Sequence, residues 1–270
     1  MIQAYYHIYL TDDKHWISIF LDQFKTIRDC SLDKKIDTIN ITAVGEEEDL
    51  DCFLSILKNY REKILRCNVQ CTWYKKPNKD EELKNFNSKK GNFITETSTL
   101  QKIWNDCNEA SDDFEVLYFH AKGVTSLKRH LDKNDNDFGY DVLINYFHWR
   151  KFLDWSVLEN HANCLDILSE KNVDIVGANY TRWPSPHFSG NYWWANSSYI
   201  KTLSSPLDSN WWESYRRENN FPHFFSDRIK DEMWILSNKK HRHHSVFDHK
   251  DPPPKSTLAS TLILRDEYTK

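Results

Sequence analysis

The chain has 270 residues, of which 28% are charged and 39% hydrophobic, and its formal net charge is −4. That length allows a sizeable core, in one large α/β domain or two small ones. A weakly acidic chain is unlike a general nucleic-acid binder, which is normally basic, so we expect no nucleic-acid partner. No segment approaches the roughly 18 apolar residues of a membrane span, so we also expect no transmembrane segment.

Aromatic residues make up 14% of the chain and include 11 tryptophans, more than a core of this size requires. We expect some of them to line a surface or a cleft, although large aromatic side chains also fill cores well. Six scattered cysteines form no compact framework, and residues 1–10 are too polar and too short for a secretory signal. We therefore expect reduced thiols and a cytoplasmic location.

Strand and helix patterns alternate in the first half of the chain. Residues 4–10 and 36–44 are β-rich runs, and apolar residues between positions 16 and 27 repeat at helical spacing. A third β-rich run covers residues 68–74. This strand–helix rhythm predicts an α/β fold with a mostly parallel sheet and helices on its faces.

The clearest buried strand is FEVLYFH at residues 114–120, which runs directly into the turn Ala121-Lys122-Gly123. Ligands of open α/β sheets bind beyond the carboxyl ends of the strands. His120 and Lys122 are therefore candidate ligand-binding residues, and Gly123 lets the chain turn close to a ligand. The alternative for His120 is a core histidine with satisfied hydrogen bonds.

The second half of the chain predicts further helices and one more buried strand. No linker rich in Pro, Gly or Ser precedes residue 251, which predicts one domain over residues 1–250. Three consecutive prolines predict an extended tail over residues 251–270. The predicted helices are 140–155, 163–168, 209–217 and 227–236, with another beginning at Ala195, and the strand begins at Asp174.

The stretch from residue 174 to residue 200 combines a short buried strand, prolines, a Ser-Gly-Asn turn and two adjacent tryptophans. Aromatic faces and hydrogen-bonding groups beyond a strand end are what a sugar-binding pocket needs. Adjacent residues face opposite ways, so we expect one tryptophan to stack on a sugar and the other to lie in the core. The candidate residues for binding sugar and acceptor are His187, Ser189, Gly190, Asn191, Trp193 and Trp194.

Five motifs occur in a fixed order: E-x-x-T-L from Glu96, YFHAKG from Tyr118, HWR from His148, HFSGNYWW from His187 and EMWI from Glu232. This set resembles glycosyltransferase-like proteins of bacterial polysaccharide clusters and large DNA viruses. It is more distantly similar to the rhamnan-synthesis F-type proteins. The resemblance covers roughly residues 4–238, and FHAKG and HFSGNYWW are its specific parts.

The resemblance implies a GT-A-like fold and a hexosyl- or pentosyltransferase that uses a nucleotide-sugar donor and a glycan acceptor. It also implies polysaccharide biosynthesis in the cytoplasm of a bacterium or a virus-infected cell. The implied nucleotide-binding residues are Tyr6, His7 and Thr99, and the implied residues for the donor diphosphate are His120, Lys122, Gly123 and Arg150.

The chain departs from the GT-A pattern at the metal-binding position. Enzymes of that fold commonly place Asp-x-Asp, which holds a divalent metal, where this chain has His120-Ala121-Lys122. A lysine ammonium can neutralise a diphosphate directly, so we expect no metal requirement. The alternative is Mn²⁺ or Mg²⁺ held by His120 together with His243 and His244.

Sugar transfer with inversion needs a base on the acceptor hydroxyl and a stabilised leaving diphosphate. Asp231 and Glu232 are the candidate catalytic carboxylates, and the resemblance favours Glu232. Helix capping is the alternative role for both, since acidic residues are common in first turns. Two other functions stay open: a non-catalytic carbohydrate-binding protein that uses the same aromatics, and a metal-dependent hydrolase built on the histidines of residues 241–249.

Overall fold

The structure, a computed structural model, describes residues 1–76, 96–121, 139–170, 172–182, 185–219 and 230–247, excepting the side chains of 61–64 and 139–146. The strands are β1 (Ile2–Tyr9), β2 (Thr38–Gly45), β3 (Asn68–Lys75), β4 (Glu115–His120), β5 (Ile175–Gly177), β6 (Tyr180–Thr181), β7 (His187–Phe188), β8 (Trp193–Asn196) and β9 (His243–Ser245). The helices are α1 (His15–Asp29), α2 (Glu47–Ile64), α3 (Glu96–Glu109), α4 (Gly139–Asp154), α5 (His161–Glu170), α6 (Ser197–Ile200), α7 (Ser209–Glu218) and α8 (Lys230–Trp234), with a π-helical turn at Trp155–Glu159.

Seven of these strands form one sheet in the order β3-β2-β1-β4-β8-β5-β9. Strands β1 to β4 are parallel to one another, β8 runs antiparallel between β4 and β5, and β9 is parallel to β5. The predicted α/β fold, a mostly parallel sheet flanked by helices in a single domain, is therefore confirmed. Strands β2 and β3 lie on one side of β1 in the sheet, and β4 lies on its other side. A topological switch point therefore lies between β1 and β4.

Both faces of the sheet are buried, so its central strands are apolar on both sides. On one face Tyr6 packs against Phe20 and Phe24 of α1, and on the other Tyr5 belongs to the cluster that contains Trp193. Successive side chains of a strand point to opposite faces, which places neighbours such as Tyr5 and Tyr6 in different clusters. Burial of each such side chain stabilises the fold by about 2 kcal/mol.

Strand β8 is the central element that sequence reasoning missed, and the short strands β6, β7 and β9 were not predicted either. Residues 193–196 form a central strand whose register pairs Leu117 with Trp194 and Tyr118 with Trp193. The expected helix start at Ala195 is wrong, because the next helix begins at Ser197. A four-residue strand buried on both faces is too short for alternation to reveal it.

The other predicted elements are confirmed within the usual few residues at their ends. Helices α4, α5, α7 and α8 fall on the predicted segments 140–155, 163–168, 209–217 and 227–236. In the part of the chain that the structure describes, none of the helices is long and apolar enough to cross a membrane. The predicted tail, residues 251–270, and the division at residue 250 lie outside the described residues.

Candidate functional site

Strands β1 and β4 end side by side at the switch point. His7 of β1 and His120 of β4 are register partners, and the backbone amide of Ala121 donates a 3.0 Å hydrogen bond to the carbonyl of His7. Register partners on parallel strands project from the same face, so both imidazoles lie on one side of the sheet. Open α/β sheets bind ligands at this position, which makes the two histidines the centre of the candidate site.

The first turn of α3 covers the two histidines. Thr99 Oγ1 lies 2.9 Å from His7 Nδ1, and Glu96 Oε1 lies 3.4 Å from His120 Nδ1. Glu96 Oε2 accepts a 3.1 Å hydrogen bond from the Tyr118 hydroxyl. Burial lowers the pKa of His7 to about 4, opposed by Glu96 and reinforced by His120. His7 is therefore neutral near neutral pH.

The turn between β7 and β8 borders the site next to the first turn of α3. Asn191 is fully buried, and its Nδ2 donates a 2.9 Å hydrogen bond to Glu96 Oε2. Its Oδ1 accepts a 3.0 Å bond from Trp193 Nε1. The φ of Asn191 is 57°, a left-handed conformation that asparagine tolerates better than most residues. This geometry joins the turn to α3 through Glu96, a residue that the sequence analysis did not assign to the site.

Position 190 requires a glycine. Its φ is 90°, and a Cβ there would lie 2.6 Å from Leu153 Cδ1. Its carbonyl oxygen lies 2.8 Å from His120 Nε2. A carbonyl only accepts hydrogen bonds, so His120 Nε2 carries a hydrogen. The turn therefore selects the orientation of the His120 ring.

Helix α8 carries both of the predicted catalytic carboxylates, Asp231 and Glu232. Asp231 is only 3% exposed and accepts a 2.7 Å hydrogen bond from Thr97 Oγ1, and its carbonyl lies 3.4 Å from Asn191 Nδ2. The Glu232 side chain is 28% exposed, with Oε2 3.9 Å from His187 Nε2. Asp231 links α8 to α3, whereas Glu232 is the carboxylate that a ligand can reach.

The short hairpin of β6 and β7 holds His187 beside Glu232. His187 is buried, and its Nδ1 lies 2.8 Å from the carbonyl oxygen of Ser185, so Nδ1 donates. This contact turns Nε2 towards Glu232. The half-buried Ser189 donates its backbone amide to the carbonyl of Asn179 at 3.0 Å, which closes the hairpin.

A buried polar network holds the end of β4 from the opposite face of the sheet. The Tyr192 hydroxyl donates to the carbonyl of His120. Gln23 Nε2 lies 2.9 Å from the Tyr192 hydroxyl and 2.8 Å from Asp154 Oδ1, while its Oε1 accepts from Tyr6 at 2.9 Å. These residues are far apart in the sequence, so no local pattern could have identified them. Together they fix the backbone at the end of β4.

Arg150 belongs to this opposite face. Its Nη2 donates a 3.1 Å hydrogen bond to Asp22 Oδ2, and its Nε lies 3.9 Å from Asp154 Oδ2. Burial raises the pKa of Asp154 to about 7, against the lowering effect of Arg150 and Gln23. The structure does not place Arg150 at the predicted diphosphate site, because its guanidinium is buried against the carboxylate of Asp22 on the opposite face of the sheet.

Three further residues lie elsewhere than predicted. Tyr6 is fully buried on the face opposite His7, because adjacent strand residues alternate, so it is not available to a nucleotide. Trp193 and Trp194 are both 0% exposed, and Trp194 Nε1 donates to the carbonyl of Val157 at 2.8 Å. The expectation that one tryptophan offers a face to a sugar is therefore wrong. Lys122 and Gly123 lie outside the described residues.

The alternative metal site is not assembled. His243 lies on β9 and pairs in register with Ile175 of β5. Strand β9 is three strands away from β4 in the sheet, which corresponds to about 14 Å. Its ring packs against Tyr180, with centroids 4.1 Å apart. The described residues contain no group of three His, Cys, Asp or Glu that could hold a metal ion. His120 therefore does not meet His243 or His244.

One protein family matches the sequence across nearly its whole length. Its description reads Domain of unknown function (DUF8361), and the match covers residues 5–246. The chain belongs to this family. No curated protein matches the chain. The matched region of this DUF8361 chain contains all of the site residues described above, from His7 on β1 to Glu232 on α8.

Solved structures resemble the DUF8361 chain at low identity. One is a 4-diphosphocytidyl-2C-methyl-D-erythritolsynthase from Anaerococcus prevotii, with 10% identity, a TM-score of 0.39 and coverage of 98% of this chain and 94% of that chain. Another is mouse xyloside xylosyltransferase 1 in its apo form, with 10% identity, a TM-score of 0.39 and coverage of 90% and 84%.

Chemically, the DUF8361 site combines groups of two kinds. Asn191, Thr99, His7 and His120 are buried groups that hold one another, the Gly190 turn and the first turn of α3 in place. Glu232 offers a partly exposed carboxylate beside a histidine, which is the arrangement of a group that accepts a proton. Such a site can bind a polar ligand and deprotonate a hydroxyl.

Proposed function

We propose that this protein is a glycosyltransferase that moves a sugar from a nucleotide-sugar donor to a glycan or another acceptor. The observation that carries the proposal is the position of His7 and His120 at the switch point, with Glu96 next to His120 and Glu232 next to His187. That position suits a nucleotide ligand, and the partly exposed Glu232 suits a base. The ordered motifs that resemble glycosyltransferase-like proteins support the same activity.

In this proposal the site has a donor side and an acceptor side. His7 and the fully buried Thr99 form the wall behind the nucleotide diphosphate, the fully buried Asn191 holds Glu96 in place behind the sugar, and Glu232 faces the acceptor. Glu232 takes the proton of the acceptor hydroxyl as the new bond to the anomeric carbon forms. The bond from that carbon to the diphosphate breaks, and the leaving diphosphate takes the electron pair. No step is assigned to a metal ion, because the described residues bring no ligand set together.

The two other functions that the sequence left open have less support. A carbohydrate-binding protein that uses Trp193 and Trp194 lacks its stacking surface, since both rings are fully buried. A hydrolase built on the C-terminal histidines needs a metal, and within the described ranges His243 has Tyr180 and His241 beside it but belongs to no group of three possible ligands. All six cysteines are free thiols, which supports a reducing, cytoplasm-like compartment.

A panel of donors tests the proposal. Thermal unfolding is measured with UDP-, GDP- and dTDP-sugars, each with and without Mn²⁺, because a ligand that binds the native state raises Tm. The donor that stabilises the protein then enters a transfer assay with glycan acceptors. No stabilisation by any nucleotide sugar or nucleoside diphosphate would rule the proposal out.

Two glutamate variants separate catalysis from binding. Glu232→Gln should lower transfer by at least about 100-fold, the usual scale of general base catalysis, while donor binding persists. Glu213→Gln is the matched control, because Glu213 is 61% exposed on α7 and pairs only loosely with Arg216 at 3.7 Å. Equal activity of the two variants would show that Glu232 is not the base.

A further inference from the structure

We propose that Asp154 is a positioning residue whose ionisation controls the hydrogen bonds that hold the carbonyl oxygen of His120, and through them the affinity of the site for a nucleoside diphosphate. The second step, from the His120 carbonyl to ligand affinity, rests on the proposed function. The first step, from Asp154 to that carbonyl, depends only on contacts between α1, α4 and the end of β4, and it is tested without a ligand.

Gln23 connects Asp154 to the end of β4. It is fully buried, and its Nε2 lies 2.8 Å from Asp154 Oδ1, 2.9 Å from the Tyr192 hydroxyl and 3.2 Å from the His120 carbonyl oxygen. The Tyr6 hydroxyl donates to Gln23 Oε1 at 2.9 Å, which fixes the end of the amide that faces Asp154. An amide nitrogen carries two hydrogens, so three oxygens compete for two donors. A shift of the amide towards one oxygen therefore weakens its bonds to the others.

The other oxygen of Asp154 is incompletely paired. Asp154 is 0% exposed, and within the described residues neither its Oδ2 nor Nε of Arg150 has a hydrogen-bond partner. These two atoms lie 3.9 Å apart, which is longer than a hydrogen bond. The guanidinium is held elsewhere, because its Nη2 donates a 3.1 Å bond to Asp22 Oδ2. Arg150 therefore compensates a charge on Asp154 only in part, and ionisation of this buried carboxyl group is costly.

The described groups that face Asp154 come from α1, α4, β1 and the residue before β8: Asp22, Gln23, Arg150, Lys151, Tyr6 and Tyr192. Burial raises the pKa of Asp154 to about 7, and Asp22 acts in the same direction. Arg150, Gln23 and Lys151 lower this pKa without overcoming burial. The two tyrosines stay neutral, because burial raises their pKa values well above the usual range. Among these groups, Asp154 is the one that changes charge near neutral pH.

Ionisation of Asp154 acts on the site in two ways. A carboxylate accepts a shorter and stronger hydrogen bond than a neutral carboxyl group, so the Gln23 amide moves towards Asp154 and away from the His120 carbonyl. A negative charge below the end of β4 also repels a diphosphate that binds on the opposite face of the sheet. Both effects weaken diphosphate binding, so the site binds more tightly when Asp154 is protonated.

NMR tests the first step on the full chain without a ligand. The amide nitrogen of Ala121 belongs to the same peptide group as the His120 carbonyl, so its nitrogen-15 shift responds to hydrogen bonds at that oxygen. We expect the Ala121 signal of the original protein to shift with a midpoint near pH 7, the pKa of Asp154. In Asp154→Asn this transition should disappear. Its absence from the original protein, or its persistence in the variant, would overturn the proposal.

Gln23→Met separates the titration of Asp154 from its transmission. Methionine has a similar shape but no hydrogen-bond donor. Carbon-13 NMR of labelled aspartates should still show Asp154 titrating, with a higher midpoint because the bond from Gln23 lowers its pKa. The Ala121 signal should no longer follow that titration. An Ala121 signal that follows Asp154 as closely as in the original protein would show that the route through Gln23 is wrong.

Calorimetric binding of UDP and GDP tests the second step. Affinities are measured from about pH 6 to about pH 8 for the original protein and Asp154→Asn, and the titration of the nucleotide phosphate cancels in their ratio. We expect the affinity of the original protein, relative to the variant, to fall by about fivefold as pH rises, the lower end of coupling between sites. Buffers of different ionisation enthalpy should show extra proton uptake on binding to the original protein. A ratio that stays constant with pH would rule out control of affinity by Asp154.

Asp33→Asn is the matched control for Asp154→Asn. Asp33 is 3% exposed, and its Oδ1 also lacks a hydrogen-bond partner within the described part of the chain. It lies in the helical turn Leu32–Lys34 before β2, at the sheet edge opposite the site. The Ala121 transition and the pH dependence of UDP affinity should match those of the original protein. If no nucleoside diphosphate binds to the original protein, the proposed function fails, while the NMR measurements still decide the link between Asp154 and His120.

Discussion

The hydroxyl of Tyr192 lies 2.9 Å from the side-chain amide nitrogen of Gln23, and both groups contact the carbonyl oxygen of His120. Gln23 lies on α1, and Tyr192 directly precedes β8, so two distant parts of the chain position the last residue of β4. The candidate site on one face of the sheet therefore depends on a hydrogen-bond network on the other face.

Tyr192→Phe tests this dependence. The substitution leaves the ring in place and removes the hydroxyl that donates to His120 and accepts from Gln23. We expect the free energy of unfolding to fall by about 1–3 kcal/mol, because buried partners lose their hydrogen bonds. Transfer should fall further than stability alone explains, since the end of β4 loses an anchor. Denaturant unfolding and steady-state kinetics measure the two effects.

Tyr199→Phe is the control for that substitution. Tyr199 is also buried, and its hydroxyl donates a 2.7 Å hydrogen bond to the carbonyl of Ile235, which lies outside the site. It should lose comparable stability and keep its transfer activity under conditions where it is folded. If both variants lose activity to the same extent, the anchor beneath β4 has no specific role.

Gly190→Ala should be among the most damaging small substitutions in the chain. The residue has a φ of 90°, and an added Cβ would lie 2.6 Å from Leu153 Cδ1. Strain and overlap together should cost about 2–4 kcal/mol of unfolding free energy. Ser189→Ala is the control, because this neighbour is half-buried and its φ is negative. Matching melting temperatures for the two variants would contradict the strain argument.

Local patterns predicted the parts of the fold that depend on local physics. The run FEVLYFH is mostly apolar because β4 is buried on both faces, and the strand ends at His120 as the sequence predicted. Helices such as α1 and α7 followed from apolar residues at helical spacing. The Ser-Gly-Asn turn at residues 189–191 was also predicted, because residues that tolerate positive φ favour turns.

The missed features are those that only tertiary contacts create. Glu96 begins one of the motifs, yet its contact with His120 arises from the packing of α3 over β4. Tyr6 was assigned to the nucleotide by resemblance, which does not reveal which face of the strand a ligand uses. One of Trp193 and Trp194 was expected to stack on a sugar, because a short central antiparallel strand has no sequence signature of its own.

Thr97 links the two helices that frame the site, so its hydroxyl should be essential. Thr97 Oγ1 donates a 2.7 Å hydrogen bond to Asp231 Oδ1, and both residues are buried. Thr97→Val keeps the shape and removes the donor, which should cost about 2 kcal/mol of unfolding free energy and reduce transfer. Thr97→Ser keeps the hydroxyl and should retain most of both. A Ser variant as impaired as the Val variant would show that shape, not the hydrogen bond, matters.

Asp154 should make the stability of the protein depend on pH. Its pKa is raised by burial from 3.8 to about 7, so between these values the native state binds a proton that the unfolded state releases. Stability from this group is fully present below about pH 4 and is lost as pH rises through about 7. The difference between these two pKa values corresponds to roughly 4 kcal/mol. His7, whose pKa is lowered to about 4, acts in the opposite direction and loses stability as pH falls.

Asp154→Asn isolates the contribution of Asp154 to the pH dependence of stability. The contribution of His7 is the same in the original protein and in the variant, so it cancels in their difference. Asparagine can still accept the hydrogen bond that Gln23 Nε2 donates to Asp154 Oδ1 at 2.8 Å, and it has no proton to lose. The variant should therefore gain stability relative to the original protein as pH rises from about 5 to about 8, by up to a few kcal/mol. Urea unfolding at several pH values measures this difference. A difference that stays constant with pH would mean that Asp154 is already ionised at the lowest pH, held so by Arg150.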